Sequence, residues 1–164
     1  MRRYFWPVVS LFVAAGIQGN LPASVSILGG KPDLILVVLI AYSLSGDPGF
    51  GAMLGFFAGL VHGTAVGMSL GSFIVTRTLT GFLAGLTTTR VFGENPLVPT
   101  LSAAWLTLVC EGIFVLANPT ASFTAALRTI LGEAISNALL TLIVSWVLRG
   151  FETRRKIKLA NARL

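Results

Sequence analysis

Glycine recurs at every fourth position from Gly51 through Gly55, Gly59, Gly63 and Gly67 to Gly71, inside the nearly uncharged stretch FGAMLGFFAGLVHGTAVGMSLG. In water this stretch makes a poor helix, because each interior glycine costs about 0.5–1 kcal/mol relative to alanine. In a bilayer the same spacing gives a helix a smooth seam that a second backbone can approach closely. At 3.6 residues per turn a four-residue step drifts by about 40°, so six glycines do not share one straight seam. The pattern predicts a third helix with a packing seam at Gly51, Gly55 and Gly59. A turn follows around Gly63 and Gly67. A fourth helix then opens at Gly71 and carries Gly81 and Gly85.

Composition extends the membrane reading to the whole chain. Of 164 residues, 54% are hydrophobic and only 11% charged, against about 25% charged in soluble domains. Too little polar surface is left for a water-facing shell, and the chain reads as an all-α, polytopic membrane protein of one domain. The net charge of +6 is concentrated at the ends. Arg2 and Arg3 open the chain, and the last segment holds Arg149, Arg154, Arg155, Lys156, Lys158 and Arg163 against Glu152 alone. Such clusters hold loops on the cytoplasmic side and attract anionic lipid headgroups. A short tail carries no groove-reading or base-stacking surface, so nucleic acid is not an expected partner. The single cysteine, Cys110, lies in an apolar run and reads as a small packing residue.

About 17–25 apolar residues cross a bilayer, and six spans can be drawn: 4–21, 32 or 33 to 44, 50–62, 68–91, 97–116 and 123–148. Turn signals separate most of them, at Asn20-Leu21-Pro22, Gly29-Gly30-Lys31-Pro32, Gly46-Asp47-Pro48-Gly49, Gly93-Glu94-Asn95-Pro96 and Asn118-Pro119. The break near residues 62–67 is the least marked. A single helix over 50–91 would nevertheless run about 63 Å, twice a bilayer core. The chain thus divides into a six-helix transmembrane domain, 1–148, and a basic cytoplasmic tail, 149–164. Nine basic residues (Arg2, Arg3, Arg90 and the six of the tail) fall on one side and Lys31 on the other, which places both termini in the cytoplasm.

Four ionisable residues fall within spans: Arg77, Glu111, Arg128 and Glu133. Each is costly in hydrocarbon and a site candidate by default. Measured along their helices, Arg77, Glu111 and Glu133 reach similar depths, so Arg77 is expected to meet Glu111 or Glu133, whereas Arg128 can snorkel. Asn137 shares a helix face with Glu133, and Thr107 with Glu111. An ion pair that fixes helix register is the plainer reading; a substrate or proton site is the sharper one. Pro32-Asp33 opens a helix, where the carboxylate caps free N–H groups. His62, the only histidine, reads as an interfacial polar residue at a helix end. No nucleophile, metal-ligand or phosphate-loop pattern is present, so neither catalysis nor a cofactor or metal is expected. Trp6 and Trp146 fit an aromatic belt near cytoplasmic ends.

Two stretches resemble the MreD family of the bacterial rod-shape machinery. One is Lys31-Pro32-Asp33 followed by the apolar run to Tyr42. The other is Gly55-Phe56-Phe57-Ala58-Gly59-Leu60-Val61, then Gly67-Met68-Ser69-Leu70-Gly71, then a helix closing at Phe82-Leu83-Ala84-Gly85. Where the family commonly carries an acidic residue before the external turn, this chain reads Val61-His62-Gly63-Thr64. The resemblance implies a non-enzymatic subunit of the bacterial inner membrane. Its partners would be a single-span MreC-like protein, a RodA-type glycosyltransferase with a class B penicillin-binding protein, the MreB cytoskeleton and membrane lipids. It would organise peptidoglycan synthesis during cell elongation. The resemblance also implies a fold similar to the six-helix subunits that capture vitamins for energy-coupling-factor transporters. Vitamin capture is the alternative function. On either reading Pro32, Asp33, Arg77, Glu111, Glu133 and Asn137 are the partner-binding or structural candidates.

Overall fold

The computed structural model describes residues 2–87, 97–119 and 122–161, with no side-chain description for Arg2, Arg3, Ser145 and 148–161. It contains six α-helices: α1 Arg2–Gln18, α2 Leu34–Ser43, α3 Pro48–Val66, α4 Leu70–Leu86, α5 Leu97–Ala117 and α6 Phe123–Asn161. Among the described residues there is no strand, only an isolated bridge between Ile27 and Gly30. Arg90, the expected turn at 93–96, the end of the expected fourth span and Thr120 lie outside the described residues.

The helices α3, α5 and the part of α6 up to Val144 are long and apolar enough to cross a membrane. The outer surface is lipid-like, with Phe5, Trp6, Phe12, Leu116, Phe123 and Trp146 all more than half exposed. A surface so rich in large apolar side chains is stable against lipid and not against water. The protein is a membrane protein by its apolar helices and by its exterior.

The ten-residue α2 is the hub of the bundle. It has seven buried residues and touches all five other helices. Ten helical residues rise about 15 Å, half a hydrocarbon core. Residues 19–33, which lead into α2, hold only a short 3-10 turn at Ala23–Val25 and a tight reversal at Ile27–Gly30. There Ile27 and Gly30 exchange both backbone hydrogen bonds at 2.9 Å, with Leu28 and Gly29 at positive φ. The reversal docks on α6 through two glycines. A Cβ on Gly30 would overlap the Thr129 carbonyl, and one on Gly132 would overlap the Ile27 carbonyl.

The tightest pair is α3 with α4, and glycine is the reason. Gly51 faces Gly81, Gly55 faces the Arg77 and Thr78 backbone, Gly59 faces Phe73 and Ile74, and Gly63 faces Leu70. At each of these a Cβ would strike the opposing helix. Gly85 packs in the same way on Asp47 and Pro48 at the start of α3. Two expectations are corrected here. First, α3 does not end at His62. It runs one more turn to Val66, because nothing between His62 and Val66 breaks a helix, and Gly67 at φ 75° terminates it. His62 and Gly63 are therefore buried helical residues. Second, Gly71 takes no part in the seam: it is exposed, with open space where a Cβ would stand. The seam survives a four-residue period because rows of i+4 positions incline about 26° to the axis, and a partner helix can follow the row.

Candidate functional site

The up-and-down order of the helices brings the ends of α1 and α3, the starts of α2, α4 and α6, and the end of α5 to one end of the bundle, opposite the start of α1. A polar cluster lies there, centred on Arg77. This side chain is 1% exposed, the largest fully buried one described. It is delivered by the middle of α4, where Gly55 lets the Arg77 backbone lie directly against α3.

Its guanidinium bridges two carboxylates. Nη2 donates to Asp33 Oδ2 at 2.7 Å and Nη1 to Glu111 Oε1 at 2.9 Å. Nη1 also reaches Cys110 Sγ at 2.6 Å, and the guanidinium carbon lies 5.4 Å from the centre of the Phe73 ring. Only Nε is left without a partner. Such a group stays charged and buried because two carboxylates and an aromatic face replace its water.

Each carboxylate is held in turn. Asp33 Oδ1 accepts from Leu36 N–H at 3.0 Å, capping α2 as its position predicts. The Asp33 N–H donates to Asn137 Oδ1 at 2.8 Å, and Asn137 Nδ2 donates to Thr107 Oγ1 at 3.2 Å. Asn137 thus ties α6 to the cap of α2 and to α5, and both its neighbours in this link are buried. One network joins α2, α4, α5 and α6.

His62 belongs to it as well. The Gln18 side-chain oxygen accepts from Ile35 N–H at 3.2 Å, so the Gln18 amide nitrogen is the group 3.4 Å from His62 Nε2. The other ring nitrogen, Nδ1, stands 3.4 Å from Arg77 Nη2 and 3.5 Å from Asp33 Oδ2. The imidazole stacks on Phe73 at 4.3 Å, and Phe73 packs on Phe114 at 4.6 Å.

Beside this network is a cavity of about 370 Å³. Its lining includes Gln18, Lys31, Asp33, His62, Arg77, Glu111, Phe73, Phe114 and Glu133. Pro32 is buried in its wall. Glu133 does not reach Arg77: among the described residues no hydrogen bond or ion pair engages its carboxylate. Arg128 is exposed at the same end, beside Gly29 and Thr129. Among the described residues no group of three His, Cys, Asp or Glu side chains is arranged to hold a metal ion.

Of the two partners expected for Arg77, Glu111 is the one it meets. Sequence reasoning missed Asp33 as its second partner, and it missed His62, Gln18, Cys110, Phe73 and Phe114. A signal existed for two of these. Phe73 lies one turn before Arg77 on the same helix face, and Cys110 directly precedes Glu111. For Gln18 and His62 there was none, since their meeting depends on how α1 and α3 end.

Comparison with protein-family models matches residues 2–151 to the rod shape-determining protein MreD. The chain belongs to the MreD family. No curated protein and no solved structure matches it.

Proposed function

We propose that the protein is a non-enzymatic, six-span subunit of the bacterial cell-elongation machinery. In this reading it lies in the inner membrane with both termini cytoplasmic. It binds a single-span MreC-like protein and helps to organise peptidoglycan synthesis together with a RodA-type glycosyltransferase, a class B penicillin-binding protein and MreB. The observation that carries this is the family match over residues 2–151. The site geometry supports it: the Arg77 network ties four helices together, as a structural ion network does. Purification from native membranes should recover an MreC-like single-span protein, and depletion should turn rods into spheres. Recovery of an ATPase module and a bound vitamin instead would overturn it.

One observation favours the second reading, a substrate-capture subunit of the energy-coupling-factor type. The cavity has the polar and aromatic lining and the position at one end of the bundle that such a subunit needs. The six-helix plan is compatible with a fold similar to those subunits. Family membership weighs for the first reading.

A further inference from the structure

The cavity lining holds more carboxyl groups than basic side chains. It holds three carboxylates, Asp33, Glu111 and Glu133, against Arg77 and the exposed rim residue Lys31. Arg77 is committed to Asp33 and to Oε1 of Glu111. Lys31 Nζ donates to the Leu21 carbonyl at 3.1 Å and stands at the mouth. Glu111 Oε2 and both oxygens of Glu133 therefore accept from no described donor. The ring nitrogens of His62 face Gln18 on one side and Asp33 and Arg77 on the other. Three open acceptors on one cavity, walled on the other side by the Phe73–Phe114 pair, are a donor-hungry and cation-hungry surface. The volume, about 370 Å³, is near the lower end for small-molecule sites.

We propose that this cavity binds an ammonium group, with the N–H donors between Glu111 and Glu133 and the adjoining carbons against Phe114. The inference goes beyond the structural role proposed above and does not depend on it. The same chemistry is offered by a free amine and by the ethanolamine headgroup of a phospholipid. In the lipid case Lys31 at the rim would stand near the phosphate.

The test uses the purified full-length chain in detergent. Phenethylamine, a compact ammonium with one ring, is titrated beside its neutral and anionic counterparts, 2-phenylethanol and phenylacetate. The amine is expected to raise Tm by several degrees at millimolar concentration, and the alcohol and acid are not. Glu133→Gln should weaken the amine at least about tenfold and Phe114→Leu several-fold. A second arm compares nanodiscs of phosphatidylglycerol alone with nanodiscs containing phosphatidylethanolamine. If phosphatidylethanolamine raises Tm and competes with the amine, both effects depending on Glu133, the ligand is a headgroup. An amine effect that phosphatidylethanolamine leaves unchanged assigns a free amine. Equal shifts from amine and alcohol, or no amine shift in the wild type, overturn the proposal. So does an undiminished shift in Glu133→Gln. The alcohol and acid controls require no variant to fold. Loss of cell shape plays no part in the readout, so this test and that of the elongation role fail separately.

Discussion

Removing the Arg77 guanidinium would leave Asp33 and Glu111 as neighbouring carboxylates without the cation that bridges them. Stripping one member from a buried ion network costs about 3–5 kcal/mol. Arg77→Gln is therefore expected to abolish folding or to lower the unfolding free energy in detergent by that amount. Glu133→Gln has the opposite expectation. Its carboxylate is engaged by no described donor, so neutralising it removes an uncompensated charge, and the unliganded protein should be as stable as wild type or more so. From sequence the two residues look equivalent, both ionisable and at similar depth in their spans. The difference was not legible there, because it depends on Asp33 reaching Arg77 from the start of α2. The capping role of Asp33 could be read from Pro32-Asp33 alone, since a cap is a local device. Its ion pair joins residues 44 positions apart and leaves no local trace.

At the scale of helices, the glycine ladder makes three different predictions. Gly55→Ala places a methyl group against the Arg77 carbonyl and the Thr78 backbone, which cannot move aside. A loss of about 1–3 kcal/mol follows, with a larger loss for Gly55→Leu. Gly67 has open space around it but sits at φ 75°. Gly67→Ala is thus penalised by backbone conformation, at about 1–2 kcal/mol. Gly71 has neither constraint, and Gly71→Ala should stabilise by up to about 1 kcal/mol through better helix propensity. Thermal unfolding of the three variants in one detergent checks the order. A close-packed α3–α4 pair was legible from spacing, because small residues four apart are useful for little else in a bilayer. The end of α3 was not. The signal there is a single glycine among several, and only its positive φ distinguishes Gly67 from the buried Gly63 one turn earlier.

For the whole molecule, the all-α membrane class was largely written in composition. Few charges, turn clusters between apolar runs and basic ends are all properties of segments, and they do not depend on which helices touch. The stretch that leads into α2, residues 19–33, was the hardest part, because no periodicity announces its 3-10 turn or the reversal at Ile27–Gly30. The segment fixes where the cavity opens, and hence which side of the membrane a ligand would come from. In the proposed orientation, with nine basic residues on the cytoplasmic side against Lys31, the cavity is external, because moving Lys- and Arg-rich ends across the membrane is strongly disfavoured. Two single-cysteine additions check this in living cells with a maleimide that does not cross membranes. Ser24→Cys, on an exposed position of the irregular segment, should react in intact cells. Lys158→Cys, in the basic tail, should react only after the inner membrane is opened. Cys110, the one native cysteine, is fully buried against Arg77 and should stay unlabelled in both states. Labelling of Lys158→Cys in intact cells, with Ser24→Cys protected, would invert the topology and make the cavity a cytoplasmic one.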